Sequence, residues 1–353
     1  MSRFFARRPG FIVASWFGLA LVALAAATDS PRLEMAWPTP STAWIEGRPH
    51  ADFLQATVSG EPESGGFGGV RDNGTRFHEG IDLKPVTRDK AGEPADKIFA
   101  VLPGVVRHAS DRAGDSNYGR YIVLEHPDVE PAIYTLYAHL KSLAPDIAPG
   151  VKVARGQFIA MMGRSEGAAG IPKERAHLHF EMGLRVTDAF EPWYARQKFG
   201  SPNEHGLWNG YNLMGFDPLD FLDKFRAHTL NNLVEYFGQL KPVVRVRVAS
   251  RQTPDFARRY PSLITPPPGG NSTLAFSPPA GWEIVFNWTG LPFRLTPLTA
   301  TDVLGYKTNE IRIVETDATV LAAEHSKSLV IHRGGRAVPG KDLETVLEQL
   351  FGF

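Results

Sequence analysis

From Phe53 to about Leu222 the chain is cut by Gly and Pro into short runs of β-branched and aromatic residues, and this punctuation limits the possible folds more than any other feature. The runs are KIFAVLPGVVRHA, GRYIVLEH, AIYTLYAHL, VKVARGQFIAMMG and AHLHFEMGL. Segments this short, bounded by turn formers, predict antiparallel strands rather than helices. The expected fold class is therefore mainly β: a compact antiparallel β-sheet domain over residues 53–223, preceded by a Pro-, Ser- and Thr-rich tether or edge segment at 28–52. Between Pro218 and Gly238 the positions Leu219, Phe221, Leu222, Phe225, Leu230, Leu233, Val234 and Phe237 fit a helical stripe, with Gly238 placed to stop it. A helix here would close the first domain and link it, over 224–240, to the C-terminal region. Beyond it VVRVRVAS alternates as a strand, ITPPPGGNST reads as a loop, IRIVETDATVLAAE and SLVIHR read as strands, and KDLETVLEQLF as a terminal helix. Residues 241–353 are thus expected to form a smaller α+β C-terminal region without visible chemistry of its own. No internal repeat is present.

Composition removes several function classes. The 353 residues carry 38 basic and 38 acidic side chains, so the chain lacks the cationic surplus that coating nucleic acid requires. It contains no cysteine. Disulfides, thiolate metal sites and thiol catalysis are excluded, and any metal must be held by nitrogen and oxygen. At the N-terminus Arg3, Arg7 and Arg8 precede the apolar run FIVASWFGLALVALAAA. That order reads as a secretory signal over 1–27, cleaved after Ala27. The alternative is an uncleaved anchor, since about 17 residues reach the lower limit of the roughly 17–25 needed to span a bilayer. The chain is expected to be exported, with membrane contact only if this segment is retained.

The histidines carry the chemistry. In AHLHFEM, strand alternation puts His177, His179 and Glu181 on one face and Leu178, Phe180 and Met182 on the other, toward a core. In YTLYAHL the same rule groups Thr135, Tyr137 and His139 against Leu136, Ala138 and Leu140. If these strands are neighbours, three imidazoles converge. In RFHEGIDLKP, His78 and Asp82 are four apart, but Gly80 and Pro85 disfavour a helix, so a loop or bulged strand is expected to supply this nitrogen and carboxylate. A catalytic zinc takes three protein ligands of this kind and leaves a position for water. Each histidine alone is more readily explained as a hydrogen-bonded structural residue, and only the combination points to a metal.

The motifs HEGID, NYGRYIVLEH, YTLYAHL, VKVARGQFIAMMG and HLHFE occur in the order found in the lysostaphin-type (LytM) zinc peptidases of bacterial cell walls. From Phe77 to Met182 the chain resembles that family, with weaker likeness in IFAVLPGVV and FDPLDFL. The resemblance implies a LytM-type domain binding one Zn2+ through His78, Asp82 and His179. It implies that His139 and His177 are unligated catalytic residues: His177 accepting the proton of the attacking water, and His139 serving the oxyanion or the leaving amine, or the two exchanging roles. The implied substrate is an amide bond in the stem or cross-bridge peptides of peptidoglycan, in the periplasm or the cell wall. A non-catalytic LytM-like peptidoglycan binder, or an activator of a cell-wall amidase, is the alternative. Oligomeric state is not legible.

Two segments depart from the family pattern. One is an insertion between HLHFEMGL and FDPLDFL carrying Trp193, Tyr194, Trp208 and Tyr211, which are expected to pack the loop down rather than select substrate. The other is the C-terminal region, which matches no wall-binding module. The Gly-rich loop from Ser59 to Asn73 leaves open whether it covers the groove. Gly163-Arg-Ser-Glu-Gly167 matches G-x-S-x-G, but GAAGIPKE cannot open the helix a nucleophile elbow needs, so Ser165 reads as a turn residue. His108, His126 and His205 have no spacing partner and are expected to be structural or superficial.

Overall fold

The short apolar runs form strands. The computed structural model describes residues 32–167, 170–266 and 278–353. The expected signal segment at 1–27 lies outside these residues, as do the later part of the ITPPPGGNST loop and part of GAAGIPKE. In chain order the strands are β1 (Gly68–Arg71), β2 (Arg76–His78), β3 (Ile81–Leu83), β4 (Lys97–Phe99), β5 (Gly104–Ser110), β6 (Tyr121–Glu125), β7 (Tyr134–Ala138), β8 (Leu140–Leu143), β9 (Lys152–Val153), β10 (Phe158–Met162), β11 (Leu178–Arg185) and β12 (Leu213–Phe216). The main sheet runs β12-β11-β7-β6-β5-β9, with β3 also paired to β11; β4-β10-β8 form a second sheet and β1-β2 a hairpin. All these pairs are antiparallel.

Strand β11 is the centre of the domain, and all eight of its residues are buried. Leu178, Phe180, Met182 and Leu184 enter the large core, each 1% exposed or less. Deleting such a side chain costs about 3–5 kcal/mol for a Phe, so this face alone ties β11 firmly to the sheet. The other face meets a smaller apolar group of Tyr121, Val123, Tyr134, Leu136, Ala138, Trp208 and Leu213. Trp208 comes from the insertion, where helix α1 (Phe190–Gln197) buries Trp193 and Tyr194 against Phe190. Tyr211 is exposed and stacks on Phe199 at 4.7 Å. Packing is therefore what three of the four insertion aromatics do.

The structure differs from expectation at four places. The stripe from Pro218 to Gly238 is two helices, α2 (Pro218–Arg226) and α3 (Leu233–Gln239), because His228 takes a left-handed φ of 58° and Asn232 recaps the chain through Glu235 N–H. Phe216, Phe221, Tyr236 and Phe237 pack together there, while Val234 is exposed. Residues 32–52 are no loose tether: Trp37 is buried, stacks on Trp44 at 5.0 Å and meets Phe53.

The third difference lies in the C-terminal region, which contains β13 (Val244–Val248), α4 (Asp255–Arg259), β14 (Gly281–Phe286), β15 (Pro292–Leu298), β16 (Ile311–Thr316), α5 (Ala318–Ala323), β17 (Val330–Arg333), β18 (Arg336–Pro339) and α6 (Lys341–Phe351). IRIVETDATVLAAE is half strand and half helix, since Asp317 accepts hydrogen bonds from the Thr319 and Val320 N–H groups and starts α5. Fourth, the expected boundary near 223–241 is not a break in packing. Residues 32–353 form one compact unit, and the same core contains Phe180 and Phe221 together with Trp282, Leu295 and Leu347. Trp288 lies against Phe67 and Phe77, ring centroids 6.1 and 6.0 Å away, so this region braces the β1-β2 hairpin. Gly68, at φ 96°, is required there, because a Cβ would stand 2.6 Å from the Trp288 ring.

Candidate metal centre and active site

His78 ends β2 and Asp82 sits in β3, joined by a tight turn rather than a helix. Gly80 permits that turn: a Cβ there would stand 2.3 Å from the Phe180 carbonyl oxygen. The register of β3 on β11 puts Asp82 directly opposite His179. The three side chains meet in a nearly equilateral triangle. His78 Nε2 lies 3.1 Å from Asp82 Oδ1, His179 Nδ1 lies 3.2 Å from Asp82 Oδ1, and the two nitrogens are 3.0 Å apart. Tetrahedral zinc with bonds of roughly 2.0–2.2 Å sets its ligand atoms about 3.3–3.5 Å apart, so this donor set fits such an ion with a shift of a few tenths of an ångström. Among the described residues this is the one group of three or more potential ligands within reach of each other. Asp82 is buried, which would raise its pKa, but the electrostatic influence of His177 and His78 and the hydrogen bond from His179 outweigh burial and hold it well below the usual carboxylate range.

His177 and His139 stand beside this group. His177 Nε2 is 3.3 Å from Asp82 Oδ1, and the His139 ring lies 4.8 Å from that of His177 and 5.9 Å from that of His179. The expected grouping of Thr135, Tyr137 and His139 does not hold. Tyr137 faces the large core against Phe180, and its hydroxyl is hydrogen-bonded to Thr135 Oγ1. His139 turns to the opposite side because its φ is 60°, at the pivot where β7 leaves the main sheet and β8 joins the second. Three imidazoles do converge, as expected, but through this break in alternation.

The tautomers follow from the partners. His78 Nδ1 donates to Gly66 O at 2.6 Å, His139 Nδ1 to Ser165 O at 2.8 Å, and His177 Nδ1 to Arg175 O at 2.7 Å, leaving each Nε2 as the acceptor. Burial and the neighbouring His177 and His179 hold His139 well below its ordinary pKa; burial likewise lowers His177. Both are neutral near pH 7. Ser165 Oγ donates to Leu140 O and accepts from Arg120 N, so it pins the His139 pivot and is no nucleophile.

Spacing could not reveal Arg71, which lies within the Gly-rich segment. Its guanidinium donates to Asp82 and, at 2.9 Å, to His78 Nε2. Arg71 also lines the cleft of about 170 Å3 at this group, together with Thr57, Val58, Arg76 and Arg175. Thus the C-terminal end of the 59–73 segment, at Arg71 and Asp72, borders the groove, as does Val58 just before it. Of the remaining histidines, His126 is structural, bonded to Pro103 O and Thr135 Oγ1, whereas His108 and His205 unexpectedly form a pair at 3.4 Å beside Tyr121.

The sequence segment holding all five site residues coincides with a known family, for residues 76–192 match the model of peptidase family M23. That segment is the part of the chain similar to peptidase family M23. Solved structures similar to the chain include a zinc containing peptidase from Vibrio cholerae, 28% identical over 30% of this chain and 26% of that one, TM-score 0.23. Others are the catalytic domain of lysostaphin from Staphylococcus simulans, 20% identical over 52% of this chain and 98% of that one, TM-score 0.29, and that of the prophage-encoded M23 protein EnpA from Enterococcus faecalis, 21% identical over 37% and 79%, TM-score 0.26. The chain thus spans about a quarter of the length of the Vibrio cholerae peptidase. No curated protein matches the chain. The segment matching M23 holds both the three potential ligands and the two accompanying imidazoles, while Trp288, outside it, braces the hairpin that ends in His78.

Proposed function

We propose that this chain is a zinc-dependent endopeptidase hydrolysing amide bonds in the stem or cross-bridge peptides of peptidoglycan, with one Zn2+ held by His78, Asp82 and His179. The observation that carries this reading is the pairing of the ligand triangle with two neutral imidazoles, His139 and His177, each anchored at Nδ1 and free at Nε2. Zn2+ bound to one carboxylate and two neutral imidazoles would supply Lewis acidity at a net charge of about +1 and lower the pKa of water to roughly 7.

The protein's own residues do the proton work. His177, nearest the ligand group, takes a proton at Nε2 from the attacking water, and as imidazolium it can pass that proton to the leaving amine. His139 enters the reaction as an acceptor too, because its Nδ1–H is committed to Ser165 O. Its Nε2 lone pair can accept a hydrogen bond from the water's second O–H and so orient that water for attack. The groove arginines Arg71, Arg76 and Arg175 favour a substrate carrying carboxylates. The N-terminal order of Arg residues, apolar run and small residues supports export to the periplasm or cell wall. Among the described residues no helix is long and apolar enough to cross a membrane.

Metal content of the purified chain, measured by mass spectrometry beside His179→Ala, with release of peptides from purified muropeptides, tests the proposal. One zinc per chain, lost in the variant and accompanied by amide cleavage, is expected. A chain that takes up no metal would leave the non-catalytic peptidoglycan-binding or amidase-activating role in its place.

A further inference from the structure

We infer that Glu181, held by Tyr118 and Tyr134, is the positioning residue that sets which nitrogen of His179 faces the metal ligand group. The inference rests on the metal reading above and concerns a residue outside the ligand set. His179 is the odd imidazole of the site. Three others donate Nδ1–H to a backbone carbonyl and present Nε2, whereas His179 presents Nδ1 to Asp82 and His78 and turns Nε2 away. His179 lies in the middle of the sheet, paired with Asp82 on one side and Ala138 on the other, so the backbone around it is committed to the ladder. Glu181, two residues on and on the same face, takes the place of a carbonyl partner: His179 Nε2 donates to Glu181 Oε1 at 2.9 Å.

The carboxylate is itself fixed. Tyr118 Oη donates to Oε1 at 2.6 Å and Tyr134 Oη to Oε2 at 2.8 Å, and Glu181 is 1% exposed. Both tyrosines are held as donors, since burial and the nearby Glu181 push their pKa well above the ordinary value. Three donors converging on one buried acceptor leave Glu181 a single rotamer. Tyr118 also links the two halves of the site, because its carbonyl oxygen accepts from His139 N–H at 2.9 Å while its ring lies 5.7 Å from that of His179. Fixing the outer nitrogen of a metal-binding imidazole selects its tautomer, and loss of such a partner weakens metal binding by roughly 10–100-fold.

The test is Zn2+ affinity, measured by competition with a chromophoric chelator on the metal-depleted full chain, for wild type, Glu181→Ala, Glu181→Gln and Tyr118→Phe. Expected are a loss of roughly 10–100-fold in Glu181→Ala and recovery of most of it in Glu181→Gln, whose side-chain oxygen still accepts from Nε2. Tyr118→Phe, which removes one hydrogen bond to Glu181 and leaves the bond from His179 in place, should lose about threefold to tenfold and keeps the inference falsifiable if Glu181→Ala fails to fold. Unchanged affinity in folded Glu181→Ala, or Glu181→Gln as weak as the Ala variant, would overturn the inference. Failure of the wild-type chain itself to take up Zn2+ would instead sink the metal reading on which it rests.

Discussion

Tyr137 and His139 are two residues apart in one extended run, yet their rings lie on opposite sides of the sheet: Tyr137 packs on Phe180 at 5.3 Å, and His139 on His177 at 4.8 Å. The single left-handed residue, His139 at φ 60°, separates them. A strand that kept its alternation would have sent this imidazole into the core.

That geometry gives the first prediction. His139→Ala leaves the proposed ligands His78, Asp82 and His179 in place, so on that proposal zinc content should match the wild type while turnover falls by roughly 10²–10⁴. Ala is also strained at this φ, by about 1 kcal/mol, so His139→Asn should melt higher than His139→Ala although both are inactive. Metal analysis, a muropeptide cleavage assay and thermal melting check the three parts. Loss of metal in His139→Ala would show that His139 is a ligand.

Gly80→Ala adds a Cβ 2.3 Å from the Phe180 carbonyl oxygen, a backbone atom that cannot yield without moving β11. The turn between His78 and Asp82 must shift instead. Expected are a destabilisation of about 1–3 kcal/mol, as for other overpacked sites, and weakened zinc binding. Urea unfolding with and without zinc measures both effects.

Arg71 donates to Asp82 and to the only free lone pair of His78, the one a metal would use. In Arg71→Met the metal-depleted chain should lose stability, on the order of 3 kcal/mol for breaking a buried pair. Zinc affinity should rise, because the competing donor is gone. Chelator competition and melting of the metal-free variant give the two signs independently, and tighter binding without loss of apo stability would contradict the pairing.

His126 is buried and neutral, and burial holds its pKa at about 4 despite the bond to Pro103 O. In the unfolded chain it titrates near 6.5. Because the folded value is the lower one, the unfolded state binds more protons between these limits. Its contribution is whole above about pH 6.5, falls as pH drops toward 4 and is flat below, amounting to roughly 3 kcal/mol in full. Denaturant midpoints of wild type and His126→Gln across pH 4–7.5 test this: the variant should show the shallower decline.

Much of the architecture was legible because it follows from local chemistry. Short β-branched runs between Gly and Pro can only be strands, and the alternation of Leu178, Phe180 and Met182 with His179 and Glu181 foretold which face of β11 is core. The end of KDLETVLEQLF as a helix was equally local. Where two local signals competed, sequence alone could not choose. Asp317 can extend a strand or cap a helix, and it caps. His228 lies inside a continuous apolar stripe and still breaks it.

The ligand types and their candidates were set by the sequence itself: no cysteine, one H-x-H on a strand, one H-x3-D around a glycine. Tertiary structure decided their geometry. Strand pairing over almost a hundred residues of chain brings Asp82 opposite His179, a positive φ turns His139 out of the core, and Glu181 with its two tyrosines sets the outer nitrogen of His179. Arg71 and Trp288 join the site from segments with no motif at all. The physical reason is that residue type and spacing limit which groups can donate or accept, whereas a site needs distances good to a few tenths of an ångström, and only the closed packing of distant segments supplies those.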